Sequence, residues 1–282
     1  MIDIEAYVTV SQRNTIFKII LAISLLCILI CVAGSIRVIP IYNYMEEEIT
    51  RRSESVFQVF AGKYLDLKLM AVHICILTIV LYSFFTTAFI YYFFEKTQSP
   101  EILFIVFFAA SFSAEAFRLV IPLGYVYEIP SMYLILSSRI VLFGRFFGLF
   151  SLFTASVFAA GYEAQRRNVI VVLIVIALII ALGVPIDTQS WDSSLSMANG
   201  YISMFRLIEI GLFLITTISF FIAAWRRGAR EFAFIGIGSI LVFFGRNVLL
   251  SADNWSGLAG LVFLSVGTWL ICTKLHKIYL WL

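Results

Sequence analysis

The chain has 282 residues, of which 62% are hydrophobic and only 13% charged, and its mean hydropathy is +1.00. That is more apolar side chain than a soluble core of this length can hide, so a water-soluble fold is excluded and an integral membrane protein is expected. The net charge of +3 is small and the basic residues fall mostly between apolar runs, where they report topology; no nucleic-acid partner is expected.

A bilayer core takes about 20 apolar residues per helix, and the elements follow from that rule in chain order. After the polar start Met1 to Arg13, an apolar run begins at Thr15. Ala33-Gly34-Ser35 looks like a cleavage site, but the run continues through Val38, Ile39 and Ile41, so a retained first helix over 17–41 is predicted. The stretch 42–68 carries Glu46, Glu47 and Glu48 early, basic Arg51 and Arg52 at i+4 spacing, and apolar Val56, Phe57, Val59 and Phe60 later. It reads as an extracytoplasmic helical connection, either a solvated hairpin or a surface that docks a partner. Seven further spans follow, over 69–94, 101–123, 131–161, 168–185, 201–225, 232–250 and 257–273. Pro100 opens the third, Pro122 and Pro130 bracket "LGYVYEI", and Pro185 stops the fifth before the polar loop "IDTQSWDSSLSMANG". The expected fold is therefore all-α: a polytopic transmembrane helix bundle of about eight spans. It divides into a tail and first helix (1–41), the connection (42–68) and a seven-helix bundle with a short tail (69–282).

Lysine and arginine in short loops set the orientation. Arg166 and Arg167, then Arg226, Arg227 and Arg230, then Lys274 and Lys277 mark one side, while 124–130, 186–200 and 251–256 have no basic residue. This places both termini in the cytoplasm of a cell membrane, read as the bacterial inner membrane. The 42–68 connection dissents with Arg51, Arg52, Lys63 and Lys68, and is outvoted.

Several ionisable residues fall inside spans, at one depth. On this topology Glu115 and Arg118, Arg139 and Arg145, Arg206 and Glu209, and Arg246 all occupy the outer half or the centre. Ser111, Glu115 and Arg118 follow i, i+4, i+7 and should share a helix face, as should Ser203, Arg206 and Glu209. Such residues cost at least about 2.5 to 3.5 kcal/mol each on insertion scales, so they should face the interior and pair. Five arginines stand against two glutamates. One reading makes the group architectural, with Arg139 pairing with Glu115 and the leftover arginines reaching carbonyls or the interface. The other makes the excess guanidiniums a site for an anionic or amphiphilic ligand, since an arginine fork binds carboxylate or phosphate bidentately. Arg145, beside the GxxxG of Gly144 and Gly148, is the strongest single candidate; the glycines themselves read as packing residues. "AFRLVI" and "MFRLIE", and "LFGRFF" and "FFGRNV", are faint echoes in spans of opposite direction, as in inverted-repeat transporters.

Other chemistry finds no support. His73 and His276 fall on opposite sides, and Cys27, Cys31, Cys75 and Cys272 lie in apolar runs without CxxC spacing, so neither a metal nor a disulfide framework is expected. Nucleotide and hydrolase motifs are lacking, so no cofactor and no enzymatic activity are expected. The expected partners are the bilayer, an anionic or lipid-like ligand, and a membrane or cytoplasmic protein that would carry a signal onward, because nothing after Lys274 resembles an output domain. The sequence thus predicts a receptor-like or accessory membrane protein, with a secondary transporter of an organic anion or lipid-derived substrate, or a purely structural subunit, as alternatives.

Overall fold

The computed structural model describes residues 10–52, 56–95, 99–161, 166–191, 194–251 and 257–280. Among these residues, nine α-helices and one short hairpin follow in order: α1 (Val10–Arg52), α2 (Val56–Phe93), α3 (Pro100–Ser111), a 3-10 segment (Phe112–Leu119), α4 (Val120–Val126), α5 (Ser131–Ala159), α6 (Arg166–Gly183), β1 (Ile186–Trp191), β2 (Met197–Asn199), α7 (Ile202–Arg227), α8 (Arg230–Leu250) and α9 (Gly257–Leu280). Among the described residues, seven helical stretches are long and apolar enough to cross a membrane. The chain is a multi-pass helical membrane protein.

The predicted fifth span is not one of these seven. Its helix, α6, has 18 residues, about 27 Å at 1.5 Å per residue against a hydrocarbon core of about 30 Å. It nevertheless runs back along α5. Ala177, Ala181 and Val184 pack with Leu142 and Phe146 in the middle of α5, and the hairpin that follows reaches Leu134 near the start of α5 through Met197 and Ile186.

Three stretches add detail to the sequence expectations. Within 42–68, α1 continues to Arg52 and α2 begins at Val56, so helix flanks residues 53–55 on both sides. The acid–base spacing expected there lies outside the described side chains. The third span is not one regular helix, because it tightens to 3-10 over Phe112–Leu119 between α3 and α4. The fold is also not purely helical: in the polar 186–200 loop, β1 and β2 pair antiparallel, with Ile186 opposite Asn199, Asp187 opposite Ala198 and Trp191 opposite Met197 across a bulge.

Polar contacts fix which helix ends lie together. At one end Arg13 donates to the carbonyls of Phe94 and Glu95, each at 2.8 Å, occupying acceptors that the last turn of α2 leaves open. The Phe94 ring meets His276 edge-on, Tyr279 Oη donates to Glu101 Oε2 at 2.6 Å, and Lys277 pairs with Glu231 at 3.0 Å. The start of α1 and the end of α9 therefore share one end of the bundle. At the opposite, hairpin end stand α4, the start of α5, β1 and β2, the start of α7 and the end of α8.

Glycine sets the closest helix contact. A Cβ added at Gly238 would lie 3.1 Å from the Gly267 carbonyl oxygen, and one at Gly260 2.6 Å from that of Gly245. Without side chains at these positions α8 and α9 approach backbone to backbone, which is how small residues join helices where lipid removes the hydrophobic drive between them. Phe94, Phe104 and Phe108 are all but fully buried in the main core.

Candidate functional site: a buried arginine–glutamate cluster

The site begins where the third span changes pitch. Ser111 Oγ donates to the Phe108 carbonyl and Ser113 Oγ to that of Ala110, both at 2.7 Å. Such local bonds compete with the regular helical ladder. The same turn is pressed by α5: a Cβ on Gly144 would lie 2.6 Å from Ala114 Cβ and 2.9 Å from the Ser111 carbonyl oxygen. The GxxxG of Gly144 and Gly148 thus seats α5 on the point where α3 ends.

A 3-10 helix has three residues per turn, so side chains at i and i+3 eclipse. Glu115 and Arg118 are such a pair, and Arg118 Nη1 donates to Glu115 Oε2 at 3.1 Å. Ser111 is not part of this pairing, so the i, i+4, i+7 face expected from a regular helix does not form. From α5, Arg145 grips the same carboxylate with a fork: Nε to Oε1 at 2.7 Å and Nη2 to Oε2 at 3.0 Å. Glu115 is 1% exposed and Arg118 3%. One buried carboxylate therefore serves two guanidiniums, which leaves this trio with one positive charge in excess.

A second pair stands beside it. Arg246 Nη2, on α8, donates to Glu209 Oε1 of α7 at 3.2 Å and reaches the Arg145 carbonyl at 3.5 Å, while its Nη1 donates to Asn247 Oδ1 at 3.2 Å. Arg246 is 2% exposed, whereas the Glu209 side chain keeps 25%. The two phenylalanine–glycine–arginine stretches noted in the sequence thus bring their arginines together, one on α5 and one on α8, each bonded to a glutamate of a neighbouring helix.

A cavity of about 570 Å³ opens over these groups at the hairpin end. Arg145, Arg206, Arg246 and Glu209 line it, three cations against one anion. Leu142, Phe146, Phe205, Ile210, Phe243 and Leu250 supply apolar wall, and Ser194, Ser196, Asn199, Asn247 and Ser251 supply polar rim. Leu195 holds a left-handed backbone conformation with φ of 55° and is fully buried. That conformation is uncommon for a bulky residue; it anchors the turn and leaves Ser194 and Ser196, on either side, at the cavity wall. A separate, uncharged groove of about 690 Å³ lies between α2 and α9, lined mainly by residues such as Leu81, Phe85, Phe89, Leu261 and Trp269.

The seven residues singled out in the sequence part company here. Glu115, Arg118 and Arg145 form the buried trio, and Glu209 and Arg246 the adjoining pair. Arg206 lies on the cavity wall, exposed, with no ion pair or hydrogen bond among the described residues. Arg139 does not pair with Glu115; it is half-buried, its Nε has no partner among the described residues, and it lies outside the cavity wall. Arg139 and Arg145 are six residues apart, about 120° around a helix, so only Arg145 looks toward the third span. The hairpin residues Ser194, Ser196 and Asn199 were not singled out. The available signal was loop length: the stretch 186–200 is long for a connection in a compact domain, and loops of that length tend to carry structure or function.

Among the described residues, no group of three or more histidine, cysteine or acidic side chains is placed to hold a metal ion. No known protein family, curated protein or solved structure matches this chain. What the fold and the cluster define is a class: a multi-pass helical membrane protein with a charged cavity at one end of its bundle.

Proposed function

We propose that this protein is a receptor-like or accessory membrane protein that binds an anionic, amphiphilic ligand in the cavity at its hairpin end and passes the binding event to a separate protein partner. The observation that carries this reading is Arg206, a guanidinium without a partner among the described residues, on the wall of a cavity whose other charges are already paired. An arginine fork of this kind suits a carboxylate or phosphate. The phenylalanine and leucine wall would take the apolar part of the same molecule. Basic residues Arg226, Arg227, Arg230, Lys274 and Lys277 gather toward the end that holds both α1 and α9 termini. By the positive-inside rule that end is cytoplasmic and the cavity opens outward, in a cell membrane of the bacterial inner-membrane type.

The test is ligand-induced thermal stabilisation of the detergent-purified protein with a panel of alkyl phosphates and fatty acids. A member of the panel should raise the melting temperature in a saturable way. Arg206→Gln should weaken that ligand about tenfold, roughly 1.4 kcal/mol, and leave the ligand-free melting temperature unchanged. Glu209→Gln removes the anion facing the ligand and should strengthen binding severalfold. No shift with any panel member, or an unchanged affinity in Arg206→Gln, would overturn the assignment.

A transporter is the second reading, favoured by the 3-10 interruption of the third span beside charged residues, since broken helices build many transport sites. Uptake into proteoliposomes separates the two: a receptor shows no flux of the ligand that it binds.

A further inference from the structure

Beside the large cavity lies a small void of about 10 Å³, walled by Phe117, Ile121 and Val141 and by the polar residues Arg118, Ser138, Arg145, Ser196 and Asn199. A volume of that order admits about one water-sized atom. Three of its polar side chains carry a buried atom with no hydrogen-bond partner: Arg118 Nε, Ser138 Oγ and Asn199 Oδ1. Arg118 is 3% exposed and Ser138 7%. The contrast along α5 is direct, because the neighbouring Ser137 donates its hydroxyl to the Leu134 carbonyl at 2.9 Å while Ser138 donates to nothing.

Unpaired buried polar atoms are rare in folded proteins and call for an explanation. We propose that this void is a binding site for a single monovalent anion, chloride in the simplest case. Arg118 Nε–H and the Ser138 hydroxyl are donors, and half a turn of the Asn199 amide offers its NH₂ in place of its oxygen. The charge balance points the same way. Arg118 and Arg145 share the single carboxylate of Glu115, so the group around the void carries one positive charge that a halide would neutralise and a water molecule would not. A halide is also close to water in size, whereas a phosphate or carboxylate is too large. The void shares Leu142, Arg145, Ser196, Met197 and Asn199 with the larger cavity as a common wall, so an anion there would sit behind Arg145 and hold the hairpin against α5.

This inference does not depend on the identity of the larger ligand. The experiment is thermal unfolding of the full-length protein in detergent, titrated with sodium chloride, sodium bromide or sodium gluconate at matched ionic strength. Chloride and bromide should raise the melting temperature in a saturable manner and gluconate should not, because an ion bound only by the folded state stabilises it by mass action. Ser138→Ala, and separately Asn199→Ala, should move the chloride midpoint at least fivefold higher. Arg206→Gln should leave that midpoint unchanged, so the two sites are told apart. Equal stabilisation by gluconate, no dependence on halide at all, or a chloride midpoint indifferent to both Ser138→Ala and Asn199→Ala would overturn the proposal. Bromide-soaked crystals offer an independent check, with an anomalous peak expected between Arg118 and Ser138 and its absence counting against the site.

Discussion

Replacing Glu115 with glutamine should destabilise the protein more than any other single charge removal in the bundle. Arg118 and Arg145 both depend on this carboxylate, at 3.1 Å and 2.7 Å; Arg118 is buried and cannot reach water without unpacking α5 from the 3-10 segment, and Arg145 meets it only along the cavity wall. Removing one partner of a buried ion pair costs about 3–5 kcal/mol, because the other charge stays behind unpaired. Here two charges stay behind. At about 2–4 °C per kcal/mol for larger domains, the melting temperature in detergent should fall by roughly 10 °C or more, or the protein should fail to elute as a single species. Glu209→Gln is the internal comparison: its carboxylate is a quarter exposed and serves Arg246 alone, so its loss should cost less than half as much. Equal stability of the two variants would mean that Glu115 is not the centre of the cluster.

A second large effect is expected from Gly245→Ala. The added Cβ would lie 2.5 Å from Leu264 N and 2.6 Å from the Gly260 carbonyl oxygen, and backbone cannot step aside as a flexible side chain does. The crossing of α8 and α9 must widen, with an overpacking cost of about 1–3 kcal/mol and more for Gly245→Leu. Arg246 is the next residue, so the same shift should loosen its bond to Glu209. Gly211→Ala on α7 is the control. No atom from beyond its own stretch of helix lies within 4 Å of its Cβ position, and alanine has the better helix propensity by about 1 kcal/mol, so that variant should melt at or slightly above the parent temperature. Differential scanning fluorimetry of the three proteins suffices, and a Gly245→Ala protein as stable as Gly211→Ala would remove the close crossing from the account.

The helical membrane class was legible because lipid imposes a length on any crossing helix and leaves few structural alternatives, although eight spans were expected and seven described helices are long and apolar enough to cross. The pairing of Glu115, Arg118, Arg145, Glu209 and Arg246 follows the rule that ionisable side chains inside spans face the interior and pair, whereas Arg139 and Arg206 depart from it. Two local features were hidden. The 3-10 turn over Phe112–Leu119 arises from Ser111, Ser113 and the approach of Gly144, and serine bonding backward along a helix has no periodicity to read. The hairpin is held partly by Met197 packing on Leu134 and Ile121, contacts between distant segments that a polar loop does not advertise.

The sequence by itself determined that this chain crosses a membrane many times and that five arginines and two glutamates had to be accommodated within it, because hydropathy and charge are additive properties of the chain. Which arginine meets which glutamate was decided only by tertiary structure. Arg139 and Arg145 are equivalent in composition and differ by six residues, yet helix phase and the glycine contact of α5 give Glu115 to Arg145 and leave Arg139 aside. Arg206 likewise became distinct only when α5, α7, α8 and the hairpin enclosed a common cavity and paired every other charge on its wall.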